Sequence, residues 1–159
     1  MRQRKLKDLD EKLTEFNGDI KINPKALKGR WQEIFAKEQP LYMELGCGKG
    51  QFILALAKAH PERNFLAVEG NRSVMLRALQ KASRELSADG FAVNDAQAAA
   101  ATADFDESLW STDADDCVYA VAQNLIFANM YLRSGTDCFE KGELSGLYLN
   151  FSDPWPKDR

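Results

Sequence analysis

Apolar positions change their spacing several times along the chain, and each change marks an element. Asn23-Pro24 reads as a capping asparagine with proline at the first helical position, and Leu27, Trp31, Ile34 and Phe35 then recur at i, i+4, i+7 and i+8. That spacing predicts a short helix packing one face on a core. Leu41-Tyr42-Met43-Glu44-Leu45 is apolar but for one acid and runs into a glycine cluster, the signature of a buried strand. A helix over Gln51 to Ala59 and a second strand over Asn64 to Glu69 follow. From Asn71 onward, Val74, Met75, Ala78, Leu79, Ala82 and Leu86 trace one helical stripe, with Arg72, Arg77, Lys81 and Arg84 elsewhere around the cylinder.

Residues 87 to 123 break this rhythm. Gly90, Asn94, scattered aspartates and the run Ala98 to Ala101 predict loops and short helices, an insertion on the crossover to the third strand. Asn124 to Tyr131 resumes a strand pattern, and Leu144 to Phe151 supplies a fourth strand after a turn at Lys141-Gly142. Strands separated by helical crossovers imply a parallel sheet, so the expected fold is α/β, doubly wound and Rossmann-like, with helices on both faces. The expected organisation is an amino-terminal arm and helix over residues 1–38 and one Rossmann-like domain over 39–159 carrying the insertion at about 87–123. No internal repeat is visible.

Composition agrees with a folded domain: 159 residues, 45% hydrophobic and 28% charged, with only 5 Pro and 10 Gly. The net charge of −3 hides an asymmetry. Residues 1 to 30 carry nine Lys or Arg against five acids, whereas residues 83 to 116 carry one Arg against nine acids. A basic arm can meet phosphates, but charge alone favours a solvated amphipathic helix there, and the acidic segment should face away from a polyanion. No apolar run approaches a membrane span, and Met1-Arg2-Gln3-Arg4-Lys5 leads into charge, so a cytoplasmic location is expected. The odd set Cys47, Cys117 and Cys138 reads as reduced thiols, and His60 as a helix-end residue satisfying carbonyls. No metal cluster is expected.

Glu44-Leu45-Gly46-Cys47-Gly48-Lys49-Gly50 lies between a strand and a helix, where an open α/β sheet binds its ligand. A P-loop would need Ser or Thr after Gly48-Lys49, and Gly50 stands there instead. The dinucleotide fingerprint wants its third glycine at Gln51, which disfavours that motif without removing it. The observed G-x-G-x-G looks like the first motif of class I methyltransferases that use S-adenosyl-L-methionine. The amino and sulfonium groups of that cofactor are cationic, which suits a carboxylate at Glu44. Glu69 ends the second strand 23 residues after Gly46, a position from which an acid accepts both ribose hydroxyls.

Asn150-Phe151-Ser152-Asp153-Pro154-Trp155-Pro156-Lys157 follows the fourth strand. A polar side chain ahead of proline and an aromatic ring suits a base drawn from its stack, and it equally suits a stiffened turn with a packed tryptophan. With E-L-G-C-G-K-G-Q-F at 44 to 52, V-E-G at 68 to 70 and Y-L-N-F-S-D-P-W-P-K-D-R at 148 to 159, the chain resembles the tRNA (guanine-N7-)-methyltransferases. The resemblance starts at the amino terminus, includes Lys28-Gly29-Arg30-Trp31, and spares only the acidic insertion.

That resemblance implies methyl transfer from S-adenosyl-L-methionine to N7 of a guanine in tRNA. It makes Glu44, Gly46, Gly48, Gly50 and Glu69 cofactor-binding residues, Asp153 the active-site acid and Lys157 a tRNA contact. Family members carry an acid near the adenine after the third strand. Here Tyr131 stands at that position with Asn129 two residues earlier, which leaves the adenine contact between them. The family also continues past this motif, so a truncated chain is expected, with a non-catalytic cofactor-binding fragment as one alternative. A methyltransferase acting on an exocyclic amine is another, since such enzymes also use an Asn or Asp, Pro, aromatic motif.

Overall fold

Alternation along Leu41–Leu45 sorts the molecule into two packed faces. Leu41 and Met43 enter one apolar cluster while Tyr42 borders the other. The computed structural model describes residues 8–17, 22–88 and 116–150. Within them β1 (Leu41–Leu45), β2 (Asn64–Glu69), β3 (Cys117–Ala122), β4 (Leu125–Asn129) and β5 (Gly146–Tyr148) form one sheet in the order β3-β4-β2-β1-β5. The pairs β1–β2, β1–β5 and β2–β4 are parallel, and β3 runs antiparallel beside β4. The crossover pattern implied a parallel sheet, and β1, β2, β4 and β5 form one of Rossmann-like α/β type, with β3 added antiparallel at its edge.

One face is covered by α1 (Leu9–Asn17), α2 (Gln51–Ala59) and α3 (Arg72–Ala88). Leu13, Ile53, Leu54 and the α3 stripe Met75, Ala78, Leu79, Ala82 and Leu86 are buried there against Phe65, Phe127 and Tyr119. An ion pair between Arg72 and Asp10 ties α3 to α1, and Lys58 reaches Glu85 at 3.5 Å between α2 and α3. The opposite face is covered by residues 22–35 and by α4 (Gly135–Cys138), with Leu27, Trp31, Cys138 and Phe139 packed on Met43, Leu66, Val68 and Ile126. Burying Leu27 completely stabilises the fold by about 2 kcal/mol relative to leaving it in water. Trp31 is also fully buried, stacks on Phe139 at 5.4 Å and donates its indole N–H to the Cys138 carbonyl at 2.8 Å.

Two elements differ from expectation. Instead of one α-helix after Asn23-Pro24, the chain makes two 3₁₀ turns, Pro24–Leu27 and Trp31–Ile34. Asn23 does cap, accepting from Lys25 N–H at 3.0 Å. Gly29 between the turns sits at φ 75°, and its N–H and that of Trp31 go to the Glu143 carboxylate at 2.9 and 3.2 Å, leaving no i−4 ladder to propagate. The second difference is Cys117–Ala122, which falls within the expected insertion and is a strand. It pairs with β4 through a hairpin turn, with a register shift between Ala120 and Ala122. Residues 89–115, most of the expected insertion, lie outside the described residues. No described helix is long and apolar enough to cross a membrane.

Candidate functional site

Parallel strands bring the carboxyl ends of β1, β2, β4 and β5 to one edge of the sheet. The chain steps outward from β1 to β2 and β4, then returns to pair β5 on the other flank of β1. The loop after β1 therefore stands where the strand order reverses, the place where an open α/β sheet leaves a crevice. Gly46, Gly48 and Gly50 fill the first of these loops at φ 71°, 57° and 73°, a conformation that costs other L-residues roughly 1–2 kcal/mol. The Val68 carbonyl anchors the loop by accepting from Gly46 N–H at 2.8 Å and Cys47 N–H at 2.9 Å. A Cβ on Gly46 or Gly48 would meet nothing within 4 Å, whereas on Gly50 it would press on the Phe127 ring at 3.0 Å. The first two glycines thus border open space that a ligand can enter, and the third lets α2 pack tightly on the sheet.

Glu44 stands at the head of this loop, one residue before the end of β1, and is fully buried. Its Oε1 accepts from Asn150 Nδ2 at 3.3 Å, and its Oε2 is buried without a hydrogen-bond partner. Burial pushes the Glu44 carboxyl above its ordinary value, and the Asn150 amide and the Ile53 backbone N–H in the first turn of α2 only partly oppose that. A buried carboxylate oxygen lacking a donor is costly unless a cation or an N–H reaches it. The arrangement suits a positively charged amino group arriving from the crevice.

Glu69 closes β2 and spans the gap between two loops. Its Oε2 accepts Gly48 N–H at 3.1 Å and its Oε1 accepts Asn71 N–H at 2.9 Å. Asn71 in turn caps α3 by accepting from Ser73 and Val74 N–H at 3.0 and 3.1 Å. Asn129, which pairs with Glu69 across the parallel ladder, is fully buried. Its Nδ2 donates to the carbonyls of Glu69 at 2.7 Å and Gly70 at 3.2 Å, while its Oδ1 is buried without a partner. Asn129 therefore holds the backbone that presents the Glu69 carboxylate. Such a carboxylate, fixed at a strand end beside a glycine loop, suits the two hydroxyls of a ribose.

Residues 38–159 match the family described as "Putative methyltransferase". The chain belongs to this methyltransferase family. It is also similar to proteins named tRNA (guanine-N(7)-)-methyltransferase. The Listeria welshimeri protein is 38% identical over 149 residues, which are 94% of this chain and 53% of that protein. The Bacillus subtilis protein is 36% identical over 160 residues, and the Oceanobacillus iheyensis protein 35% over 159, each alignment covering 100% of this chain and 58% of the relative. The chain thus spans a little over half the length of these curated relatives.

In this family member the glycine loop, Glu44, Glu69 and Asn129 come together at one sheet edge, and Asn150 brings the start of the carboxy-terminal motif to the same crevice. Ser152, Asp153, Trp155 and Lys157 lie outside the described residues. Tyr131 follows β4 at that edge with its ring against Gly70. His60 is elsewhere, at the far end of α2, where its ring pairs with Glu62 Oε1 at 3.1 Å instead of with a carbonyl. Cys47, Cys117 and Cys138 are all free and buried. Burial, with Glu44 and Glu69 as secondary causes, pushes the Cys47 thiol far above its ordinary value, so it is no nucleophile. Among the described residues no group of three or more His, Cys, Asp or Glu is arranged to hold a metal ion. A separate groove of about 620 Å³, lined by Gln32, Gln39, Glu140 and Ser145, opens at the other end of β1 and includes none of the candidate site residues.

Two contributions escaped the sequence reading. Asn71 both donates to Glu69 and caps α3, and Asn150 partners Glu44. The first left a signal, an asparagine directly before a helical stripe and two residues after the acid. The second left none, because it depends on β5 pairing beside β1.

Proposed function

We propose that this chain belongs to an enzyme that transfers a methyl group from S-adenosyl-L-methionine to N7 of a guanine in tRNA. The observation that carries the reading is the contact at 3.3 Å between Asn150, which opens the N-F-S-D-P-W-P-K run, and Glu44, which opens the glycine loop. The relatives named for this activity support it. Glu44 would hold the cofactor's amino group, Glu69 its ribose, and the open flanks of Gly46 and Gly48 its close approach, with Asn129 supporting Glu69 from beneath. The bound cofactor supplies an electrophilic methyl group.

Guanine N7 carries an in-plane lone pair and no proton. It attacks carbon without a general base, so the mechanism makes no demand on His60. What the protein must do is align the base and stabilise the positive charge that develops on it. We assign that charge to Asp153, orientation of the base edge to Ser152 and Asn150, packing to Trp155 and a tRNA contact to Lys157. A cytoplasmic location accords with a tRNA substrate.

The test is incubation of the full chain with tRNA and the methyl donor, followed by borohydride and aniline treatment and primer extension. The expected result is scission at a single guanine that disappears in Asp153→Ala. Intact tRNA at every guanine, with the wild-type protein folded and binding the donor, would refute the assignment.

A further inference from the structure

The two flanks of the candidate site differ in charge. The acidic stretch of residues 83–116 ends at Asp116, and the pairing of Cys117 with Asn129 sets that residue beside the carboxyl end of β4. A polyanion is repelled from this flank. On the other side of β2, the loop after β1 carries Lys49, exposed between Gly48 and Gly50 at φ 57° and 73°. Glu69 holds Gly48 N–H at 3.1 Å and the Cys47 carbonyl accepts Gly50 N–H at 2.9 Å, so the backbone on either side of the lysine is fixed. The neighbouring strand β5 leads into Asn150 and the N-F-S-D-P-W-P-K run.

Nothing in the loop itself calls for a cation, since its turns need glycine at 46, 48 and 50 and leave position 49 free. Among the described residues Lys49 makes no ion pair. Its charge also lies apart from the buried acid. Burial, Asn150 and Ile53 N–H set the Glu44 carboxyl, and burial with Glu44 and Glu69 sets the Cys47 thiol, with no effect of Lys49 on either. The carboxylate of a bound methionine end shares a carbon with the ammonium at Glu44, inside the crevice and away from this head group. An anion arriving from solvent is the ligand that remains, and tRNA offers one phosphate per nucleotide. We infer that Lys49 is a tRNA-backbone contact, holding a phosphate as the substrate enters over the β1–β5 flank; this rests on the tRNA reading above. Such a contact carries no sequence information and acts by seating the RNA over the methyl donor.

Binding of tRNA to the full chain, followed by fluorescence anisotropy over a salt series, tests this together with calorimetry of S-adenosylhomocysteine. Lys49→Met should weaken tRNA about 5- to 10-fold near 0.1 M salt and lower the slope of log affinity against log salt by about 1. Lys49→Arg should stay within about 2-fold of wild type, and S-adenosylhomocysteine should bind all variants within about 2-fold. Lys141→Met, which removes the same charge from the exposed groove at the other end of β1, should leave affinity and slope unchanged. Unchanged tRNA affinity and slope in Lys49→Met would overturn the inference. So would an equal loss in Lys141→Met, which would trace the effect to net charge, or an equal loss for S-adenosylhomocysteine, which would give Lys49 to the cofactor. If the wild type binds S-adenosylhomocysteine but no tRNA, the tRNA reading itself falls and this inference falls with it.

Discussion

Asn150 Nδ2 lies 3.3 Å from Glu44 Oε1 and is the hydrogen-bonding side chain that the buried carboxylate finds, its other oxygen having no partner. The pair joins residues 106 positions apart and sets the state of the site before any ligand arrives. A carboxyl whose pKa is raised by folding binds its proton more tightly folded than unfolded. The Glu44 contribution to stability is therefore greatest at low pH and declines as pH climbs from the ordinary value of 4.5 through the raised one. Glu44→Gln should remove that decline, melting higher than wild type at pH 8 by an equivalent of about 1–2 kcal/mol. The same variant should bind S-adenosylhomocysteine at least about 10-fold more weakly, because a charged hydrogen bond is lost. Melting curves from pH 5 to 8 with calorimetry check both halves. A variant less stable than wild type at pH 8 would contradict the account.

Glu69 differs from Glu44 in having two backbone donors already in place, from Gly48 and Asn71. An amide at this position can turn its oxygen to only one of them and presents N–H to the other. Glu69→Gln should accordingly weaken S-adenosylhomocysteine by about 10-fold or more. With a complete enzyme the effect should fall on KM for the methyl donor and leave KM for tRNA unchanged. A change confined to the tRNA term would remove Glu69 from the cofactor site.

Much of this was readable from local pattern. The bounds of β1, α2 and β2 follow from an apolar run, a glycine cluster and a helical stripe, all signals confined to a few neighbouring residues. The glycine loop between β1 and α2 and the acid at the end of β2 are likewise marked by local spacing. What local pattern did not reveal depends on partners far along the chain. Residues 24–34 carry helical spacing, but Glu143 takes the N–H groups of Gly29 and Trp31 and fixes a break. Cys117–Ala122 is short and rich in small residues, and becomes a strand only because β4 lies beside it. The donation of Asn129 Nδ2 to the Glu69 and Gly70 carbonyls likewise depends on the β2–β4 register, which no local pattern contains.

That register makes Asn129 a sharp test of positioning. Asn129→Asp keeps the shape but replaces a donor by a buried acceptor aimed at two carbonyl oxygens. It should destabilise the fold by about 3 kcal/mol or more, and more than the larger truncation Asn129→Ala. Chemical denaturation of the three proteins decides the order. If Asp proved milder than Ala, Nδ2 would not be the group that matters.

Cys47 sits among the glycines, where a reactive thiol would be conspicuous. It is buried, and burial together with the carboxylates of Glu44 and Glu69 keeps its proton on. Native protein treated with iodoacetamide at pH 8 should stay unlabelled at Cys47 by peptide mass spectrometry and label only after denaturant is added. Labelling of the native state within minutes would show that the loop opens far more than its Val68 anchor allows.

Glu143 reaches from the loop before β5 to collect three backbone donors: Gly29 at 2.9 Å, Trp31 at 3.2 Å and Glu140 at 2.9 Å. One carboxylate therefore fixes the break between the 3₁₀ turns and seats Trp31 under Phe139. Its removal frees all three N–H groups at once, but water can reach part of the site, so the cost is below the sum of three charged bonds. Glu143→Ala should destabilise the fold by about 2 kcal/mol. In hydrogen exchange followed by NMR, the amides of Gly29, Trp31 and Glu140 should lose protection together, while those of β2 keep theirs. Loss at Glu140 alone would mean that the arm is held by the Trp31 side chain and not by this carboxylate.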